Sequence, residues 1–175
     1  ATMAIVCVLS VFNGFEDVAA KSLSQFDPQL KIYPSQGKVI ENADSLISIV
    51  EEIEGVKAAI PAIDEQAFAI FNNQQMPITL KGISSRYADV YAIDSIVIDG
   101  TLVLHYEGID YASLSVGAAV SLMARANSSD YISIYVPSRT SRINPANPMT
   151  AFCADSLAIS SVFQVNQPEY DADCV

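Results

Sequence analysis

At 175 residues, 51% of them hydrophobic, the chain is long enough for one packed domain or two small subdomains. A formal charge of −11 excludes a nucleic-acid partner, whose phosphates it would repel. The nine lysines and arginines are scattered singly, which argues against a patch for anionic lipid. Plain solubility accounts for the acidity.

The run Ala1–Phe12 holds ten apolar residues in twelve and no charge. At about 1.5 Å per residue it reaches roughly 18 Å, short of a hydrocarbon core of about 30 Å. No basic segment precedes it and no small-residue cleavage site follows, so it does not read as a secretory signal. A buried core helix would explain such a run, but its sequel points elsewhere. Beyond Asn13-Gly14 the pattern passes into Glu16–Phe26, where Val18, Leu23 and Phe26 make an amphipathic helix. An apolar helix that turns amphipathic at its charged end is how a transmembrane segment leaves a bilayer. Residues 1–14 are therefore read as the end of such a segment, and 15–175 as the soluble domain it carries.

Further on, Leu30–Tyr33 alternates as a strand that Pro34 stops, and Lys38–Ile40 returns as a second. Asp44 reads as the N-cap of a helix with Leu46, Ile47, Ile49, Val50 and Ile53 as its buried stripe and Gly55 as its C′ residue. Val56–Phe71 and Met76–Ile83 form a hairpin around Asn72–Gln75. A helical turn is expected over Tyr87–Ile93. Short strands follow at Ile96–Ile98 and Thr101–Leu104, with Asp99-Gly100 as a hairpin signal. Ala118–Arg125 is a short helix, and Tyr131–Val136 a strand with Ile132, Ile134 and Val136 on one face. Ser138–Met149 lacks periodicity and carries the loop signal Asn144-Pro-Ala-Asn-Pro148. Ala151–Val165 is a long strand or bent pair, and Tyr170–Val175 begins another. Antiparallel hairpins outnumber βαβ units, so the fold class is α+β.

Several of these segments carry a resemblance. Leu9–Glu16, Leu-Ser-Val-Phe-Asn-Gly-Phe-Glu, is similar to the "S-V-x-N-G-F-E" end of the first transmembrane helix in LolC/LolE-type lipoprotein-releasing permeases of the MacB/FtsX superfamily. Phe26–Ile32 resembles the first extracytoplasmic strand of that family. Val116-Gly117 through Val136-Pro137 resembles its "G-x-x-L-A … G-D-x-v-x-l-y-v-P" stretch, and Val162-Phe163 with Glu169–Asp171 its "G-I-F … E-Y-D". The segments fall in the family's order and cover nearly the whole chain. Two positions depart: Asn127–Asp130 stands where the family has Gly-Asp, and Ser161 replaces the glycine before "I-F". The resemblance implies a MacB-like core of two subdomains, a porter-like sheet on helices and a mostly β sabre-like insertion, with the domain continuing past Val175. It implies no catalysis here. ATP binds a separate cytoplasmic ABC ATPase subunit, and a second permease copy or paralogue stands alongside in the bacterial inner membrane. Lipoprotein release is the implied task; efflux or cell-wall-hydrolase regulation in other branches, or a free-standing α+β binding module, are the alternatives.

Catalytic constellations are poor. His105 stands alone between Leu104 and Tyr106, no Gly-x-Ser-x-Gly elbow occurs, and Gly37-Lys38 lacks the upstream glycine of a phosphate-binding loop. Glu169, Asp171 and Asp173 would share a strand face and offer oxygen ligands for calcium, although a solvated face explains them better. Glu51, Glu52 and Glu54 are the wet side of a helix. Cys7 lies in the apolar run, and no Cys-x-x-Cys spacing occurs. Cys153 and Cys174 fall in predicted strands; an oxidising compartment would allow a bridge between them, and two unpaired buried thiols are the favoured alternative. No cofactor or metal is expected. What remains is Ser138–Met149, with Arg139, Arg142 and no acid, a local +2 in an acidic chain. Loops between firm strands are where binding residues gather. The resemblance implies a hook here that grips a periplasmic lipoprotein carrier, made of Arg139, Arg142, Asn144, Pro145, Asn147, Pro148 and Met149.

Overall fold

The computed structural model describes residues 2–24, 28–91, 93–138 and 151–175. It has the α+β content expected: helices α1 (Thr2–Ser24), α2 (Ala43–Glu51), α3 (Arg86–Val90), α4 (Val116–Leu122) and α5 (Pro168–Asp171), with a 3-10 turn at Ile93–Ser95. The strands are β1 (Ala62–Phe71), β2 (Gln74–Ile83), β3 (Val97–Gly100), β4 (His105–Tyr106), β5 (Ile109–Ser115), β6 (Tyr131–Pro137) and β7 (Phe152–Phe163). They form one seven-stranded sheet in the order β2-β1-β6-β7-β5-β4, with β3 pairing β7 off that path.

The β1–β2 hairpin turns on Asn72 and Asn73, both left-handed at φ 43° and 66°. Asparagine tolerates that region, and two such residues give the turn whose twist matches the flanking strands. The turn is tighter than the expected Asn72–Gln75, because Gln74 and Gln75 already pair with Phe71 and Ile70. β7 is the spine of the sheet. Its first half pairs antiparallel with β6, from Pro137↔Phe152 to Tyr131↔Ala158, and its second half runs parallel to β5. β6 shows Ile132 and Ile134 buried, as its alternation requires, and Val136 half-buried.

The last residues close the sheet on itself. The N–H of Thr79 donates to the Asp173 carbonyl at 3.0 Å, Val175 to Thr79 at 3.0 Å and Lys81 to Val175 at 2.8 Å. On the other side Ser115 donates to the Cys174 carbonyl at 2.8 Å. Residues 173–175 thus lie between the outer edge of β2 and the end of β5. Inside this wrap sits the main core, with Ala69, Ile78, Leu114, Ile132 and Ile159, and α4 covers it through Ala118 and Leu122. A second core holds Tyr87, Ile93, Ile96, Phe163, Val165 and Cys174. The Ser115 side chain accepts from Ala118 N–H and caps α4, and Met123, left-handed at φ 53°, ends it.

Five expectations are corrected. The stretch 28–42 contains no strand: its local alternation joins no ladder of the sheet. α2 begins at Ala43 behind a left-handed Asn42, so Asp44 lies in its first turn rather than at the cap. None of its stripe is fully buried: Leu46, Ile47 and Val50 are half-buried, and Ile49 and Ile53 are exposed. Asp99-Gly100 ends β3, whereas Glu107-Gly108, at φ 50° and 81°, turns the β4–β5 hairpin. Tyr170–Val175 opens as the helical turn α5, not a strand, because Pro168 sets the backbone angle of a helix start.

Candidate interaction surfaces

α1 is one continuous helix through Asn13-Gly14 and across the 14/15 boundary. Its 23 residues reach about 34 Å. Every described side chain from Thr2 to Glu16 is exposed. Met3, Ile5, Val6, Val8, Leu9, Val11, Phe12 and Phe15 are 56–81% accessible. Among the described residues no helix is long and apolar enough to cross a membrane. The amphipathic continuation rests on Val18, Leu23 and Phe26, whose side chains lie outside the described residues.

The proposed hook residues Arg139, Arg142, Asn144, Pro145, Asn147, Pro148 and Met149 also lie outside the described residues. Their base is defined. Ser138 N–H donates to the Ala151 carbonyl at 2.7 Å, one step beyond the Pro137↔Phe152 pair, so β6 and β7 stay zipped to the mouth of the loop. Residues 152–156 of β7 are exposed along their whole length, while 159–163 are buried. The β7 side of the outer hairpin is thus exposed, while Val136 of β6 packs against the main core.

The acidic and nucleophilic side chains are engaged locally. His105 Nδ1 lies 2.6 Å from Asp110 Oδ1 across the β4–β5 register, with both side chains exposed. Glu169, Asp171 and Asp173 do not share a strand face. Asp171 instead accepts the N–H groups of Val165 (2.7 Å) and Gln167 (3.1 Å), fixing the turn before α5. Among the described residues no three His, Cys, Asp or Glu converge on one point. Glu51 is more than wet surface. It accepts from Arg86 at 2.8 Å and from Ala59 N–H at 3.3 Å, and the Arg86 guanidinium holds its carboxyl below the usual range. This pair ties residues 28–59 to α3, and Lys38–Glu65 at 3.0 Å ties them to β1; the segment contributes no fully buried residue.

Cys7, Cys153 and Cys174 are all free thiols. Cys153 is exposed, against the expectation of burial, because it sits on the exposed first half of β7; Cys174 is buried as expected. Burial pushes the Cys174 thiol up from 9.0 to about 12. Below pH 9 the folded and unfolded chains both hold that proton, and the contribution is constant. As pH rises further the unfolded chain ionises while the folded one does not, so stability falls until the folded thiol ionises too. At about 1.4 kcal/mol for each tenfold, the loss is on the order of 4 kcal/mol. Urea unfolding of the native chain and Cys174→Ala between pH 9 and about 12 should therefore diverge, with the native chain falling more steeply. Parallel curves would refute it.

Between the two cores lies a cleft of about 220 Å³ that the sequence did not reveal. Leu80, Ile83, Ile93, Ile96, Leu102 and Phe163 are among its walls, and Cys174 and Val175 line it as well. The sequence signal was hidden because the lining comes from five separate segments.

No protein-family model and no curated protein matches the chain.

Proposed function

We propose that this chain is the extracytoplasmic domain of a LolC/LolE-type lipoprotein-releasing permease in a bacterial inner membrane, and that it transmits motion rather than catalysing a reaction. The observation that carries the reading is α1: a continuous helix, apolar and exposed from Met3 to Phe15, bearing the Leu9–Glu16 segment that resembles the family's first transmembrane helix. A surface of that kind is suited to lipid or a neighbouring helix, not to water. In this reading ATP hydrolysis on a cytoplasmic subunit moves the membrane helices, and α1 carries the displacement outward. Paired domains, from a second copy or a paralogue, then shear against each other, and the cargo passes to a periplasmic carrier. The loop with Arg139 and Arg142 grips that carrier through charge-assisted contacts, stiffened by Pro145 and Pro148.

The test uses the intact permease with its ATPase. Gly14 lies mid-helix with nothing within 4 Å of an added Cβ. Gly14→Ala should therefore be tolerated, while Gly14→Pro breaks the helix at about 3 kcal/mol. Gly14→Pro should abolish lipoprotein release while ATP hydrolysis continues, and Arg139→Ala with Arg142→Ala should weaken carrier capture without unfolding the domain. Normal release by the proline variant would defeat the transmission reading. Undiminished carrier capture by the double alanine variant would defeat the hook.

A further inference from the structure

We propose that residues 28–54 form an arm that swings away from the body of the domain when the Glu51–Arg86 pair breaks. The inference rests on the contacts of this segment and stands apart from the permease reading. Residues 28–54 contribute no fully buried side chain. Leu46, Ile47 and Val50 of α2 are half-buried, yet none of them belongs to or packs against either core. Among the described residues the chain first meets a core at Ile60, and β1 enters the sheet at Ala62. Apolar burial thus fixes the body and leaves the arm to its polar ties. Segments with few buried apolar contacts open at the low end of a protein's range of local stabilities.

Ion pairs are among those ties, and Glu51 is the one best placed to act as a clasp. Its Oε1 accepts from Arg86 Nη2 at 2.8 Å and from the Ala59 N–H at 3.3 Å. One carboxylate therefore joins the end of α2, the approach to β1 and the start of α3. Arg86 is itself anchored, because it opens α3 next to Tyr87. Tyr87 is buried in the second core and stacked on Tyr91, with ring centres 4.5 Å apart. The clasp closes on a fixed point. Lys38–Glu65 at 3.0 Å assists from β1, but the Lys38 side chain is 71% exposed against 33% for Glu51. Between α2 and the body stands Gly55, at φ 94° with nothing within 4 Å of an added Cβ. Glycine turns there without steric resistance, and the space around it leaves room for the swing. Screening acts on both ion pairs, since the Debye length falls from about 10 Å at 0.1 M salt to about 3 Å at 1 M. Salt therefore loosens the clasp and leaves both apolar cores closed.

The experiment is a pulsed electron-spin distance measurement on the full chain carrying Cys7→Ser and Cys153→Ser, which removes the two exposed thiols. One pair of spin labels spans arm and body, at Ser45→Cys and Ser121→Cys. A second pair stays within the body, at Gln75→Cys and Ser121→Cys; all three positions are exposed. Labelled chain is diluted with unlabelled chain, so that only pairs within one molecule are read. The arm–body distance should be single at about 0.1 M salt and lose that definition at about 1 M. Arg86→Gln should lose it at both, and Arg86→Lys, which keeps the charge, should retain it at the lower. The body distance should stay single throughout. The proposal fails if the arm–body distance stays single in Arg86→Gln or at the higher salt, for then the half-buried face of α2 holds the arm. It fails equally if that distance is already dispersed at the lower salt with Arg86 in place, or if the body distance disperses with it.

Discussion

Replacing Gly117 with alanine is expected to destabilise the domain by about 3 kcal/mol, the upper end of ordinary overpacking. A Cβ at Gly117 would stand 2.5 Å from the carbonyl oxygens of both Asp171 and Ala172. Real Cβ atoms do not approach backbone so closely, and neither side is free to retreat. Gly117 lies in the first turn of α4, which Ser115 caps and Ala118 and Leu122 anchor in the core. The opposing carbonyls belong to the turn that the Asp171 carboxylate ties to Val165 and Gln167. Directly after it, residues 173–175 are bonded to β2 on one side and β5 on the other. Gly82→Ala is the contrast, since its added Cβ meets Ile63 at an ordinary 3.6 Å and should change stability by less than about 0.5 kcal/mol. Denaturant titration of the two variants decides the matter. Equal midpoints would mean that the C-terminal closure yields more readily than its hydrogen bonds imply.

Removing residues 2–15 should convert a self-associating or detergent-binding chain into a monodisperse monomer with an unchanged melting temperature. Eight large apolar side chains lie exposed along this part of α1. Contiguous apolar surface beyond a few hundred Å² marks an interaction site or drives aggregation. The melting temperature should hold, because no described side chain of this segment is buried and the two cores draw nothing from it. Light scattering on the full and shortened chains, without detergent, gives the result. A full-length chain that stays monomeric would show that α1 needs neither lipid nor partner, and would remove the main support for its role in a membrane assembly.

Elements with strong local signals were legible. The paired asparagines at 72 and 73 announced the β1–β2 hairpin, and Ile132, Ile134 and Val136 announced β6 by their spacing. β5 was missed, although Leu114 is among the most buried residues. Its inward positions include Ser113 and Ser115, which satisfy their hydroxyls on Ser161 and on the α4 cap, so polar letters concealed a core strand. α5 was read as a strand because Glu169, Asp171 and Asp173 alternate, and alternation does not tell which hydrogen bonds win. Of the candidate sites, the apolar N-terminal run and the arginine-bearing loop could be named from local composition, since each is a property of a few neighbouring residues.

The sequence by itself determined the α+β class, the acidic surface, the apolar helix at the N-terminus and the boundaries of its best-patterned strands, because these follow from periodicity and turn chemistry within short windows. Only the tertiary structure decided which edge of the sheet each segment could claim. Residues 173–175 take the β2 edge and are bonded to β5 on their other side, which brings Cys174 and Val175 to the walls of the cleft. Such pairings depend on the entropy lost in closing long loops, weighed against the hydrogen bonds and apolar burial that closure brings, and no local pattern records that balance.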